Sequence, residues 1–246
     1  MREPTIDLNA DVAEGADDAA LYSIVTSVNI ACGAHAGDDE TMRDAVARAR
    51  EHGVAIGAHP GYPDRDSMGR RALAIPPQEI ARLMVEQIAA LDRIVSRAGL
   101  RIRHVKPHGA LYNQAAADAA IARAIASAVA AFDPALTLVG LAGSEMLAAG
   151  RAAGLEVAGE AFADRGYRAD GTLLPRDEPG ALIQDPVRAA AQAVALARGE
   201  PVPAGDGSVV VEADTVCLHG DTPGAVRNAV SVRAALEAAG IKVAPL

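Results

Sequence analysis

Four of the six histidines, His35, His59, His108 and His219, end an apolar run, and each is followed within two residues by glycine. Asp11 and Asp221 stand at equivalent places. A lone histidine at a strand end is ordinarily just hydrogen-bonded, but four of them with two carboxylates make a chemical set. Neutral imidazoles meeting a carboxylate form a transition-metal site, and two His with one Asp leave coordination open for water. Asp11, His59 and His108 are the expected ligands of a divalent metal, with His35 next. A metal-free version stays open on the same residues: His35, His108 and Asp11 as general acid and base, with Lys106 holding a developing oxyanion.

Lys106 stands out by rarity, since the chain has 21 arginines and only two lysines, Lys106 and Lys242. In the stretch from His104 to Asn113, alternation puts Lys106 and His108 on one strand face, with Val105 and Pro107 on the other. Where arginine is the default base, a lysine beside a histidine suggests a compact, titratable ammonium. Other polar residues carry a bland reading beside the chemical one. Arg70 and Arg71 are either a clamp for a substrate carboxylate or phosphate, or a solvated pair. Glu160, Asp164 and Arg165 form either a rim ion-pair network or part of a substrate site. His52, before Gly53, suits a helix C-terminus, and His104 opens its strand far from the rim, as a structural residue would. No Walker A, Gly-x-Gly-x-x-Gly or Gly-x-Ser-x-Gly motif occurs.

Strand ends need strands. Residues 5–11 alternate, with Asp7, Asn9 and Asp11 on one face and Ile6, Leu8 and Ala10 on the other. That suits a barrel strand packing helices outside, although an exposed edge strand alternates too. Further strands are expected at 27–32, 54–58, 101–107, 136–141, 156–162, within 209–218 and at 241–243. Helices are expected at 39–52, 78–98, 115–131, 144–153, 185–197 and 224–239, with long loops at 60–71 and 163–179. Strand and helix alternating seven times argues for parallel strands with right-handed crossovers. An open doubly wound sheet fits that order as well. A closed (β/α) barrel is favoured because polar residues recur at most strand ends rather than at one switch point.

No linker or composition shift divides the 246 residues, so a single barrel domain over 1–246 is expected. Half the residues are hydrophobic but only 2% are aromatic, so the core must come from Ala, Val, Leu and Ile. A net charge of −9 argues against nucleic acid as partner, and no apolar run reaches membrane-spanning length. With no signal-peptide pattern, and with Cys32 and Cys217 inside apolar runs as buried, reduced thiols, a cytoplasmic location is expected.

The motifs also resemble a known family. Asp7–Asp11, Ser27–Asp38, Gly57–Asp64, Gly69-Arg70-Arg71, Val105–Asn113, Glu160–Arg165 and Cys217–Pro223 are similar, in order and nearly end to end, to the LamB/YcsF family of 5-oxoprolinase A subunits. The resemblance implies a seven-stranded (β/α) barrel like those of polysaccharide deacetylases. It implies ATP-dependent opening of 5-oxo-L-proline (pyroglutamate) to L-glutamate, with ATP bound here or on a partner. Two further subunits, resembling an allophanate-hydrolase pair, are implied as partners. On this reading Asn29, Arg70, Asp164, Arg165 and His219 contact substrate. One departure is the first loop, where the family's Gly-Glu-Gly-Phe-Gly and an insertion give way to Ala13-Glu14-Gly15-Ala16-Asp17; another is Met68 in place of Phe. A shortened loop predicts a more open pocket. A metal-dependent carbohydrate deacetylase and a non-catalytic ligand-binding subunit remain the alternatives; scarce aromatics for sugar stacking weigh against the first.

Overall fold

The structure is a computed structural model that describes residues 4–205, 207–219 and 224–246, the side chain of His219 excepted. In chain order the elements are β1 (Thr5–Val12), β2 (Ser27–Ala31), α1 (Asp39–His52), β3 (Ala55–His59), α2 (Pro77–Arg97) and β4 (His104–Val105). Then come α3 (Gly109–Ala117), α4 (Ala119–Phe132), β5 (Thr137–Leu141), α5 (Glu145–Ala152) and β6 (Val157–Phe162). The chain ends with α6 (Pro186–Ala197), β7 (Val202–Ala204), β8 (Gly207–Val209), β9 (Thr215–His219), α7 (Ala225–Ala238) and β10 (Lys242–Val243).

Strands β1 to β6 and then β9 each run parallel to the next, and β9 pairs back onto β1, from Asp7 opposite Thr215 to Asp11 opposite His219. That last ladder closes a seven-stranded parallel barrel and rules out the open sheet. The late strand β10 extends β1 at its start, with Thr5 opposite Lys242. Apolar residues of the outer faces (Leu8, Val28, Val105, Leu138 and Val216) are fully buried under the helices.

The barrel interior is polar. Asp7, Asn9, Asn29, His104, Lys106, Glu160 and Thr215 are each no more than 2% exposed. Packing them costs free energy unless each polar group finds a partner. Asp7 accepts hydrogen bonds from the hydroxyls of Thr26, Ser27 and Thr215. Asn9 donates to Thr215 and Glu160 and accepts from Asn29. Asn29 in turn accepts from His104 Nε2 at 2.7 Å.

Three elements differ from the expectation. The ladder of strand four is only His104–Val105, because Pro107 brings no N–H. The helix expected over 115–131 is two helices bent by 115°, since Asp118 leaves the helical region (φ −108°, ψ 106°) and caps α4 through the amides of Ala120 and Ile121. The stretch from 209 begins in an antiparallel pair, β7 with β8, and the barrel strand starts only at Thr215.

Candidate active site

The carboxyl ends of β1, β3 and β4 deliver Asp11, His59 and, three residues past β4, His108 to one mouth of the barrel. Each imidazole is turned by a backbone carbonyl. His59 Nδ1 donates to Lys106 O at 2.7 Å, and His108 Nε2 donates to Met68 O at 2.8 Å. With those nitrogens carrying the protons, the lone pairs sit on His59 Nε2 and His108 Nδ1, which face each other at 2.9 Å. Two lone pairs at that separation repel unless a cation, a proton or a metal ion, lies between them. Asp11 Oδ2 is 3.3 Å from His59 Nε2. The donor set of two imidazole nitrogens and one carboxylate oxygen, all within 4.8 Å, therefore fits a divalent transition metal. The carbonyls act as the outer partners that fix ligating histidines.

Glu14 joins this cluster. Its Oε1 lies 3.0 Å from His108 Nδ1, 3.1 Å from His35 Nε2 and 3.6 Å from His59 Nε2. Burial alone pushes the Glu14 carboxyl up, but when these rings are protonated the hydrogen bonds from His108 and His35 and the charges of His108 and His59 hold it well below the usual carboxylate range. His35 is pushed down to about 4, chiefly by burial, against the pull of Glu14. For His59 the burial penalty is overcome by Asp11, and its pKa is raised. The His35 ring stacks flat on His108, centroids 3.9 Å apart. The backbone bends sharply on both sides: Ala13 and Met68 are non-glycine residues at positive φ (63° and 53°), and they present Glu14 and the Met68 carbonyl. Gly69 is required beside them, since a Cβ there would stand 2.9 Å from the His35 Cβ and 3.0 Å from the His108 ring.

Lys106 forms part of the floor. Its ammonium reaches Glu160 at 2.8 Å, Asp11 Oδ1 at 2.9 Å and Cys217 Sγ at 3.1 Å. Burial alone would depress its pKa, but Asp11, Cys217 and Glu160 raise it well above the normal value. Three protons with three protein acceptors make Lys106 a fixed counter-ion that aims Asp11, which changes the role expected for it at an oxyanion.

Above this floor opens a chamber of about 640 Å³, lined on one side by Arg70 and Asn113 and on the other by Ser144, Phe162, Arg165 and Arg176. The structure thus brings Asp11, His59, Lys106, His108, Arg70 and Arg165 to one cavity, with His35 packed behind His108. Asn29 is corrected: it is fully buried below the floor, and donates to Asp11 Oδ1 at 2.8 Å instead of facing substrate. Glu160 is likewise an interior residue, not part of a rim network. Asp164 is buried just past β6 and does not line the chamber. Arg71 pairs with Asp64 at 3.2 Å. The backbone of His219 is in register with Asp11, while its side chain and Asp221 lie outside the described residues. Glu14 was hidden in an acidic, glycine-containing stretch that reads as solvated loop; only its place three residues after Asp11 hinted at the site.

The sequence model described as the LamB/YcsF family matches residues 6–246. A protein of Methylococcus capsulatus (strain Bath), named as the A subunit of 5-oxoprolinase, is 53% identical over 98% of this chain and 96% of its own length. Among solved structures, the lactam utilization protein from Thermus thermophilus is 45% identical and superposes with a TM-score of 0.93 over 98% of this chain and all of its own. The peptidoglycan deacetylase PdaC from Bacillus subtilis, 11% identical over all of this chain and 89% of its own, reaches a TM-score of 0.50, a likeness of fold alone.

Proposed function

This chain belongs to the LamB/YcsF family, and from that premise we propose that it opens a lactam, hydrolysing the ring amide of 5-oxo-L-proline to L-glutamate. The Methylococcus relative is named as one subunit of several, which supports a complex of more than one kind of chain. We take the partners to be an allophanate-hydrolase-like pair and the location to be the cytoplasm.

A five-membered lactam resists water because attack destroys amide resonance, which is the reason for coupling to ATP. Phosphorylation of the lactam oxygen, on a partner chain, makes the ring carbon electrophilic. The oxygen of a water then bonds to that carbon as the C=N π pair moves onto nitrogen, and the water's proton passes to the Glu14–His108 pair, which takes and returns it as one unit. The new hydroxyl then gives up its proton and closes to C=O as the C–N electron pair moves onto nitrogen, which takes a proton and leaves, giving the open-chain acyl phosphate. A second water splits that acyl phosphate to the carboxylate and inorganic phosphate. Asp11, His59 and His108 Nδ1 would hold a divalent metal, which when bound acts as a Lewis acid and acidifies water, and with Nδ1 so occupied Glu14 alone would take the proton. Arg70 or Arg165 grips the substrate carboxylate. Lys106 holds Asp11 aimed at the site through its 2.9 Å contact with Oδ1.

The observation that supports this reading is the meeting of two imidazoles and two carboxylates on the floor of one open chamber, with a third imidazole, His35, stacked behind His108. The test is glutamate release from 5-oxoproline and ATP, with and without the two partner chains. His108→Ala should lower kcat by about 10²-fold or more; wild-type turnover in that variant would remove the proposed base. Acetate released from acetylated sugars, with no glutamate formed, would favour the deacetylase instead.

A further inference from the structure

The chamber is far larger than a five-carbon ring acid requires, and one wall carries groups that the ring and its carboxylate leave unused. That wall is formed by the turn from β5 into α5 and by Arg165 and Arg176 of the segment after β6, the strand paired with β5. Ser144 is the N-cap of α5, where a serine hydroxyl ordinarily accepts from the second or third helical amide. Here it caps nothing. Its Oγ is buried without a hydrogen-bond partner, in a residue only 9% exposed. The first amides of α5 have no intrahelical acceptor either, and they carry the positive end of the helix dipole.

In the segment after β6, the Arg165 guanidinium is 6% exposed and is held by two carbonyls, Nε to Ala181 O at 3.1 Å and Nη2 to Leu174 O at 2.5 Å. Among the described residues it has no carboxylate within ion-pair distance. A buried cation without an anion is costly, and the missing charge is one a ligand can supply. Burial and Arg176 push its pKa down to about 10 against the pull of Asp164, a depression that an arriving anion would reverse.

We propose that this wall is a phosphoryl subsite: the α5 amides, the Ser144 hydroxyl, Arg165 and Arg176 hold the phosphate carried on the activated lactam oxygen. This rests on the reading that the substrate arrives phosphorylated, and it leaves Arg70 for the substrate carboxylate. The subsite also decides which bond breaks. After water adds, the tetrahedral carbon carries a hydroxyl, the ring nitrogen and the phosphate oxygen. Loss of phosphate would regenerate the lactam and waste the ATP, whereas loss of nitrogen opens the ring. Holding the phosphate against α5 turns the nitrogen toward the histidine floor, where it takes its proton and departs.

The probe is inorganic phosphate, titrated into the full chain and followed by calorimetry or phosphorus NMR. Glu145→Pro deletes one α5 amide at the first helical position, where proline is tolerated, and Ser144 (φ −79°, ψ 161°) already has the backbone a residue before proline adopts. Glu145→Gln controls for the lost charge. Glu145→Pro and Arg176→Gln should each weaken phosphate roughly tenfold, while Glu145→Gln should not weaken it. In the enzyme reconstituted with partners, the same two variants should spend more ATP per glutamate formed. Unchanged phosphate affinity in both variants, or loss only in Arg70→Gln, overturns the subsite even if glutamate is released normally. Phosphate binding that depends on Glu145 and Arg176 in a protein that never releases glutamate would uphold the anion subsite and sink the lactam reading.

Discussion

A Cβ built on Gly57 would stand 2.0 Å from Nε2 of His104, so the bare backbone of β3 is what admits that imidazole to the barrel interior. Gly57→Ala must displace a ring anchored on Asn29, and overpacking of this kind costs roughly 1–3 kcal/mol or more. We expect a lowered denaturation midpoint, partly restored in the double variant with His104→Ala. His104 itself is pushed down to about 3, by burial first and by the Lys106 charge second, so it stays neutral in the fold. Between the unfolded value of 6.5 and that folded value, the unfolded chain binds a proton the folded chain refuses, so stability falls as pH drops through this window. His104→Gln keeps a donor for Asn29 but cannot titrate. Its melting temperature should fall less steeply from pH 7 to pH 4 than that of the wild type; parallel curves would refute the assignment. Glu14 shows the limit of reading residues singly: its partners His35, His59 and His108 are 21, 45 and 94 positions away, and only the turn at Ala13 and Gly15 aims it at them.

At the level of elements, alternation in β1 and the glycine stops after α1 and α2 were readable because each depends on neighbours in sequence. The break between α3 and α4 was not, since an alanine-rich run suits one helix as well as two. Asp118 decides it by capping α4, and Asp118→Ala should destabilise by roughly 0.5–2 kcal/mol, read by chemical denaturation. No loss of stability there would mean that packing alone sets the bend. Met68 and the segment around it form a long loop by composition, yet that loop shapes the site: its carbonyl at Met68 sets the tautomer of His108, Asp64 pairs with Arg71, and Arg70 lines the chamber.

For the molecule as a whole, closure of β9 onto β1 is the step that makes a site of scattered residues, because it completes the ring of strand ends around a single mouth. The interior polar network ties that mouth to the body of the barrel through Asn9, Asn29 and Lys106. If Asp11, His59 and His108 hold a metal, purified protein should carry a divalent ion by elemental analysis, and Asp11→Asn should lose it on gel filtration while keeping its fold. Full activity in rigorously metal-free protein would instead leave the Glu14–His108 pair as the sole means of activating water. Among the described residues no single helix is long and apolar enough to cross a membrane.

The amino-acid sequence alone determined the parallel (β/α) order, the polar inward face of β1 and the histidines waiting at strand ends, since these follow from periodicities of two and 3.6 residues and from local stops. It also carried the family resemblance. Only the tertiary structure decided that the sheet closes, that Glu14 belongs with the imidazoles, that Asn29 lies beneath the site and that Lys106 is spoken for. Those facts are distances between groups remote in sequence, and a distance of that kind is set by how the whole barrel packs, which no short stretch of chain encodes by itself.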